Sequence, residues 1–216
     1  MESMTKKNAA PLLKDVAYQR IKENILDEQF PQGSFLSERE LIEILQMSKT
    51  PIKNALVRLE TEGFVTISSK QGIIINELSL NRIIDIYNLR TALETYIGTN
   101  ITGKLTAEQC KEIEKNLALT EEKATQLDIK GFTRADHDFH LLLCECLGNQ
   151  EIYRVLLNYQ DHLVRITLLH LKKDPQRMQQ FWKEHVEIYK HLKNGDQKSI
   201  ELIENHLQQS KQKLMF

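Results

Sequence analysis

The chain has 216 residues, 41% hydrophobic and 27% charged, with a formal net charge of -1. That length suits one large domain or two small ones, and the composition is that of an ordinary globular protein. The charge balance excludes a chain-wide basic field for nucleic acid, and no apolar run approaches the length of a membrane span.

The N-terminus, MESMTKKNAAP, is polar and lacks the apolar core of a signal peptide. Residues 1–10 are expected to form a disordered tail. The three cysteines, Cys110, Cys144 and Cys146, are odd in number and follow no disulfide pattern. They read as reduced, mostly buried thiols of a cytoplasmic protein. Only eight glycines and four prolines imply long helices joined by short loops.

Residues 12–29 carry Leu13, Val16, Ala17, Ile21 and Ile25 at helical spacing and predict a first helix. FPQGS breaks it. Ser37 with Glu40 forms a capping box that opens a second helix, ERELIEIL, with Leu41, Ile44 and Leu45 expected inward. A third helix follows in MSKTPIKNALVRLETEGF. Ser48 is its expected cap, and Pro51 is tolerated in the first turn. Ile52, Ala55, Leu56 and Leu59 form its buried stripe, and Gly63 ends it. VTISSKQGIIIN then reads as a hairpin. Three helices and a hairpin are the layout of a winged helix-turn-helix, spanning residues 11–76.

After Asn76 the chain predicts only helices, over 79–103, 106–128, 132–147, 151–173, 175–194 and 197–214. Short turns between them imply an antiparallel bundle over residues 77–216. The fold class is mainly α: an N-terminal winged helix-turn-helix and a C-terminal antiparallel helical bundle.

A recognition helix needs donors near its exposed N-terminus. Lys49 and Lys53 lie opposite the buried stripe, with Ser48 and Thr50 placed for a phosphate. Arg39 is a further exposed donor, and Lys70 and Gln71 occupy the wing tip. Residues 1–76 hold ten basic and ten acidic side chains, yet between Ser48 and Arg58 no acid offsets the three bases. The positive field is expected to be local, and a merely solvated helix face is the plain alternative.

In the bundle, ADHDFH (135–140) draws notice. Asp136 and His140 are four apart and continue into Leu143 and Leu147, so they lie on an apolar stripe. His137 and Asp138 are rotated away and read as surface. His185 shares a face with Tyr189 and Leu192, and His206 lies beside Leu202 and Ile203. Three histidines and an aspartate thus sit on inward faces of three helices. A buried carboxylate needs a partner, and this donor set suits Zn²⁺ first, with Ni²⁺ as the alternative. Singly, each histidine is more often a hydrogen-bonded core residue, and Asp136–His140 alone could be an ion pair. Arg90 shares a stripe with Tyr87, Leu93 and Ile97. Either Glu94 pairs with it internally, or, as the family resemblance given below implies, it faces a cavity and binds an effector carboxylate. Arg165, with Asp161 four residues earlier, is a weaker effector candidate. Asn149 is the expected cap of the helix from Glu151 and completes the effector set.

The string GSFLSERELIEILQMSKTPIKNALVRLETEGFVTISSKQGIII resembles the DNA-binding region of GntR-family bacterial transcription regulators. The resemblance implies DNA contacts at Arg39, Lys49, Lys53 and the wing from Ser69 to Gly72. Relatives usually carry arginine where Lys49 and Lys53 stand, and lysine lacks arginine's fork for guanine. IYNLRTALE, DHDFHLLL, LGNQ, EHVEIYKHLKNGD and IENHL are together similar to the FCD ligand-sensing domain of the FadR subfamily. Many members bind a metal through a D-x3-H pair and two later histidines, matching Asp136, His140, His185 and His206. That resemblance implies a small organic acid held by the metal and nearby arginines. The expectation is a non-enzymatic homodimer that reads an inverted-repeat operator in double-stranded DNA, with no membrane partner. The competing readings are a metal-dependent hydrolase and a regulator whose metal is structural or is itself the signal.

Overall fold

A computed structural model describes residues 11–213, and the chain divides into two units between Glu77 and Leu78. The tail expected over residues 1–10 lies outside the described residues, as does the last position of the helix expected over 197–214.

In the N-terminal unit, α1 (Leu13–Leu26), α2 (Glu38–Leu45) and α3 (Lys49–Glu62) enclose one core with strands β1 (Phe35–Leu36), β2 (Val65–Ser68) and β3 (Gly72–Ile75). Ala17, Ile21, Leu41, Ile52, Leu56, Leu59, Phe64 and Ile73 are among its buried members. The capping box forms: Ser37 Oγ accepts from Glu40 N–H at 3.1 Å, and Ser37 N–H donates to the Glu40 carboxylate at 2.7 Å. Gly63 closes α3 in the left-handed conformation. β2 and β3 form the expected hairpin.

The sequence reading missed β1. It pairs antiparallel with β3 and makes the sheet order β1-β3-β2. A two-residue strand has no periodicity to read. Its approach explains Gly72, which has φ +82° and no room for a Cβ, since one would lie 2.8 Å from the Leu36 carbonyl oxygen.

Two local expectations need correction. Ser48 occupies the N-cap of α3, but its side chain makes no capping bond. Ile44 is exposed, because the short α2 packs only along the narrow Leu41–Leu45 stripe. The first helix forms as expected from Leu13, which is itself exposed one turn ahead of the buried face that begins at Ala17.

The C-terminal unit consists of α4 (Leu80–Ile101), α5 (Ala107–Thr125), α6 (Ile129–Leu147), α7 (Gln150–Lys173), α8 (Arg177–Lys193) and α9 (Lys198–Lys213). α6 starts three residues earlier than expected because Asp128 caps Gly131 N–H at 2.9 Å. It is the central helix, packed by α4, α5, α7 and α8, while α9 packs on α4 and α8. The core runs through Ile97, Ile113, Phe139, Leu143, Ile188, Leu192, Ile203 and Leu207. Among the described residues no helix is long and apolar enough to cross a membrane.

Replacing Gly72 by alanine adds a Cβ against the Leu36 carbonyl and forces a left-handed φ on a residue that resists it. We expect the N-terminal unit to lose about 1–3 kcal/mol, read as a lower urea midpoint by circular dichroism. An unchanged midpoint would show that β1 yields without cost.

Candidate metal centre

Helices α4, α6, α8 and α9 each send polar side chains to one buried locus. His140, His185 and His206 are all buried, and one ring nitrogen from each lies within 4.8 Å of the others. His185 Nε2 and His206 Nε2 are 3.2 Å apart. Two imidazole nitrogens that close need a proton or a cation between them. Phe139 stacks on the His185 ring at 4.2 Å between centroids and fixes its plane.

Two further carboxylates orient the rings. Glu94 Oε2 accepts from His140 Nδ1 at 2.6 Å, and Glu184 Oε2 lies 2.6 Å from His206 Nδ1. Each bond places the ring proton on Nδ1 and turns Nε2 toward the cluster, the usual second layer of a histidine metal site. The Arg90 Nε–H donates to Glu94 Oε1 at 2.6 Å. Arg90, Glu94 and His140 therefore form one buried chain.

Asp136 is 95% buried, and its Oδ1 has no hydrogen-bond partner. It lies 3.7 Å from His185 Nδ1, which also lacks one. Burial pushes the Asp136 carboxyl up to about 6, partly offset by His206 and Arg90. It is still ionised at neutral pH. Burial drives His140 down to about 4 even against the pull of Glu94, and drives His185 well below the ordinary range. Burial opposes the Glu94 charge too, but Arg90 and His140 outweigh it and hold that carboxyl far below its usual range. The locus thus contains two imidazoles, His140 and His185, that burial keeps from charging, a balanced Arg90–Glu94 pair and a buried carboxylate only partly offset by its neighbours. That donor set and charge suit a divalent cation.

A cavity opens on this locus, lined by Tyr87, Arg90, Asp136, His137, His140 and His206 with Thr167, His170, Arg177, Phe181 and Ser210. Arg90 answers both sequence readings. Its Nε is paired with Glu94, while its buried Nη2 has no partner. Arg165 is buried but does not line the cavity. Asn149 must be withdrawn from the effector set: it is exposed, and its oxygen caps α7 by accepting from Glu151 N–H and Ile152 N–H. His137 is also not a surface residue. It is 97% buried, with Nε2 3.1 Å from Thr167 Oγ1. Four helices surround α6, so facing away from the apolar stripe does not lead to water. Asp138 is exposed as expected and binds Gln160.

Glu184, Thr167, Arg177, Phe181 and Ser210 went unnoticed in the sequence, and His170, which reads there as a surface or packing residue, lines the cavity. Glu184 meets His206 only across two helices, and no spacing announces that. Glu94 had been read only as a partner for Arg90.

In the N-terminal unit Ser48, Lys49, Thr50 and Lys53 are all exposed at the start of α3, as are Arg39 and the wing-tip residues Ser69, Lys70 and Gln71. The expectation that no acid offsets the α3 bases needs correction. Glu38 of α2 sits 2.7 Å from Lys49 Nζ and 3.8 Å from Lys53 Nζ. Arg39 pairs with Glu43 at 2.9 Å, and Arg58 with Glu62 at 3.0 Å. These are exposed pairs, each worth at most about 1 kcal/mol, and a phosphate can displace them.

A winged helix-turn-helix unit followed by a separate helical ligand-type bundle defines a transcription regulator. Residues 13–75 match the gntR family of bacterial regulatory proteins, and residues 85–209 match the FCD domain. The chain belongs to the gntR family, in its FCD-domain branch. It is 23% identical over 207 residues to the HTH-type regulator YdfH of Escherichia coli O6:H1, covering 95% of this chain and 90% of that one. It is 23% identical over 194 residues to the HTH-type transcriptional repressor RspR of Escherichia coli K12, covering 89% and 84%. A GntR-type regulator structure from Rhodococcus superposes with TM-score 0.79 at 18% identity over 94% of this chain and 97% of that one, a likeness of fold.

Glu94→Ala would strand the Arg90 guanidinium and leave His140 without its orienting acceptor. Breaking such a buried pair typically costs about 3–5 kcal/mol. We expect a destabilisation of that size in denaturant unfolding of the C-terminal unit, and a value under about 1 kcal/mol would show that the pair relaxes into solvent.

Proposed function

We propose that this regulator controls its operator affinity through a small organic acid bound at a metal site in the C-terminal bundle. Asp136, His140, His185 and His206 would hold a divalent transition metal, Zn²⁺ before Ni²⁺. A single observation carries the reading: one ring nitrogen from each of three buried histidines lies within 4.8 Å of the others, with the unpartnered Asp136 Oδ1 beside His185. A cation bound there supplies a Lewis-acid point for one carboxylate oxygen. Arg90, through its unpartnered Nη2, supplies a charge-assisted donor to the same acid. Glu94 and Glu184 position the rings and do no chemistry on the ligand.

The non-enzymatic reading is favoured by the same geometry. A hydrolytic site needs a general base free to take a proton. Near the cluster, Glu94 and Glu184 are both committed to imidazole protons, and Asp136 is a ligand candidate. The protein would act in the cytoplasm as a homodimer, presenting two α3 helices to an inverted repeat, with Ser48, Lys49, Thr50, Lys53, Arg39 and the wing from Ser69 to Gly72 on DNA. The acid shifts operator affinity only to the extent that it binds one conformation more tightly than another.

Asp136→Ala, His185→Ala and His206→Ala are each expected to lose bound metal while keeping helical circular dichroism. Full metal content in all three by elemental analysis would remove the site. Lys49→Ala and Lys53→Ala are expected to weaken binding to the protein's own promoter region by severalfold and to flatten its salt dependence by about one unit each, with metal content unchanged. Unaltered promoter affinity in both would mean that α3 is not the reading helix.

A further inference from the structure

The cavity has two ends. The inner end is the cluster just described. At the other end, Arg177 opens α8, and Arg177, Phe181 and His185 follow at four-residue steps, so one face of α8 leads from the guanidinium to the cluster. On α9, His206 and Ser210 trace the same path. The most exposed members of the lining, His170 and Ser210, are half-buried and stand near this outer end.

Arg177 is 91% buried, and its Nε has no hydrogen-bond partner. Its guanidinium lies 4.8 Å from the Phe181 ring, and that ring lies 6.0 Å from His206. One aromatic ring therefore separates this cation from a candidate ligand. Among the described residues no carboxylate pairs with it: the single acidic residue in the cavity lining, Asp136, belongs to the inner end. A buried arginine left without an anion is costly, and arginine is the side chain best shaped to grip a carboxylate. Tyr87, Thr167 and Ser210 add hydroxyl groups to the lining. The free room is about 20 Å³, space for a water, so binding an acid requires lining side chains to move apart.

We propose that Arg177 is a second anion anchor and that the effector is a short dicarboxylate. One carboxylate lies at the inner end with Arg90, and the other lies on Arg177. The proposal rests on the metal-and-acid reading above and adds the class of acid. Arg177 is the specificity-determining residue, because a monocarboxylate satisfies the inner end and leaves Arg177 unanswered.

The test is calorimetric titration of the Zn²⁺-loaded full chain with acetate, malonate, succinate and glutarate, in the native protein and in Arg177→Gln. At least one dicarboxylate is expected to bind about tenfold or more tightly than acetate, the size of one charge-assisted hydrogen bond. Arg177→Gln is expected to erase that advantage while leaving acetate affinity and zinc content unchanged. If acetate binds but no dicarboxylate is preferred, or if the substitution weakens all four acids equally, the second anchor is wrong and the inner site stands. If no acid binds the native protein, the underlying reading fails and takes this proposal with it.

Discussion

Asp136 is a carboxylate in the middle of a helical bundle, and its negative charge organises the polar interior. Placing it on the central helix α6 takes it out of water on every side. The surrounding groups offset it only in part, because Arg90 is already matched by Glu94 and burial keeps His140 and His185 uncharged. The structure instead brings three imidazoles alongside and leaves Asp136 Oδ1 and His185 Nδ1 open to each other. Removing water from a polar group makes its partner obligatory, so the interior that costs the bundle stability is also where a ligand gains most.

Orientation comes from the layer behind the histidines. Glu94 on α4 and Glu184 on α8 each fix the tautomer of a ring on another helix. The close approach of α4 to α9 supports this arrangement, with Gly98 of α4 facing Ile203 of α9 where any Cβ would lie 2.6 Å from that side chain. Backbone packing and ring orientation are thus coupled, since α4 carries both the close contact and the Arg90–Glu94 pair.

The N-terminal unit solves a different electrostatic problem. Its bases are exposed and individually weak, and Glu38 lies between Lys49 and Lys53. Such pairs hold the lysines near the start of α3 at little cost and give way to phosphate, which offers several acceptors at once.

Local and periodic features were legible in the chain. The Ser37–Glu40 capping box, the Gly63 stop, the wing and the run of amphipathic helices are written within a few residues, and helical phase placed Asp136, His140, His185 and His206 on inward faces. Where one helix was surrounded by four, phase misled. His137 points away from the apolar stripe and is buried all the same, because α6 has almost no face left for water. Glu184, Thr167 and Arg177 gave no sign of lining or supporting the site, and the pairing of β1 with β3 was equally silent, since each depends on a partner from a distant segment. Sequence alone determined the helices, the wing hairpin, their order and the inward donors, because those follow from local propensity and periodicity. Tertiary structure decided which donors meet, which carboxylates orient them and which cations stay unpaired, because those depend on distances between helices that no spacing along the chain encodes.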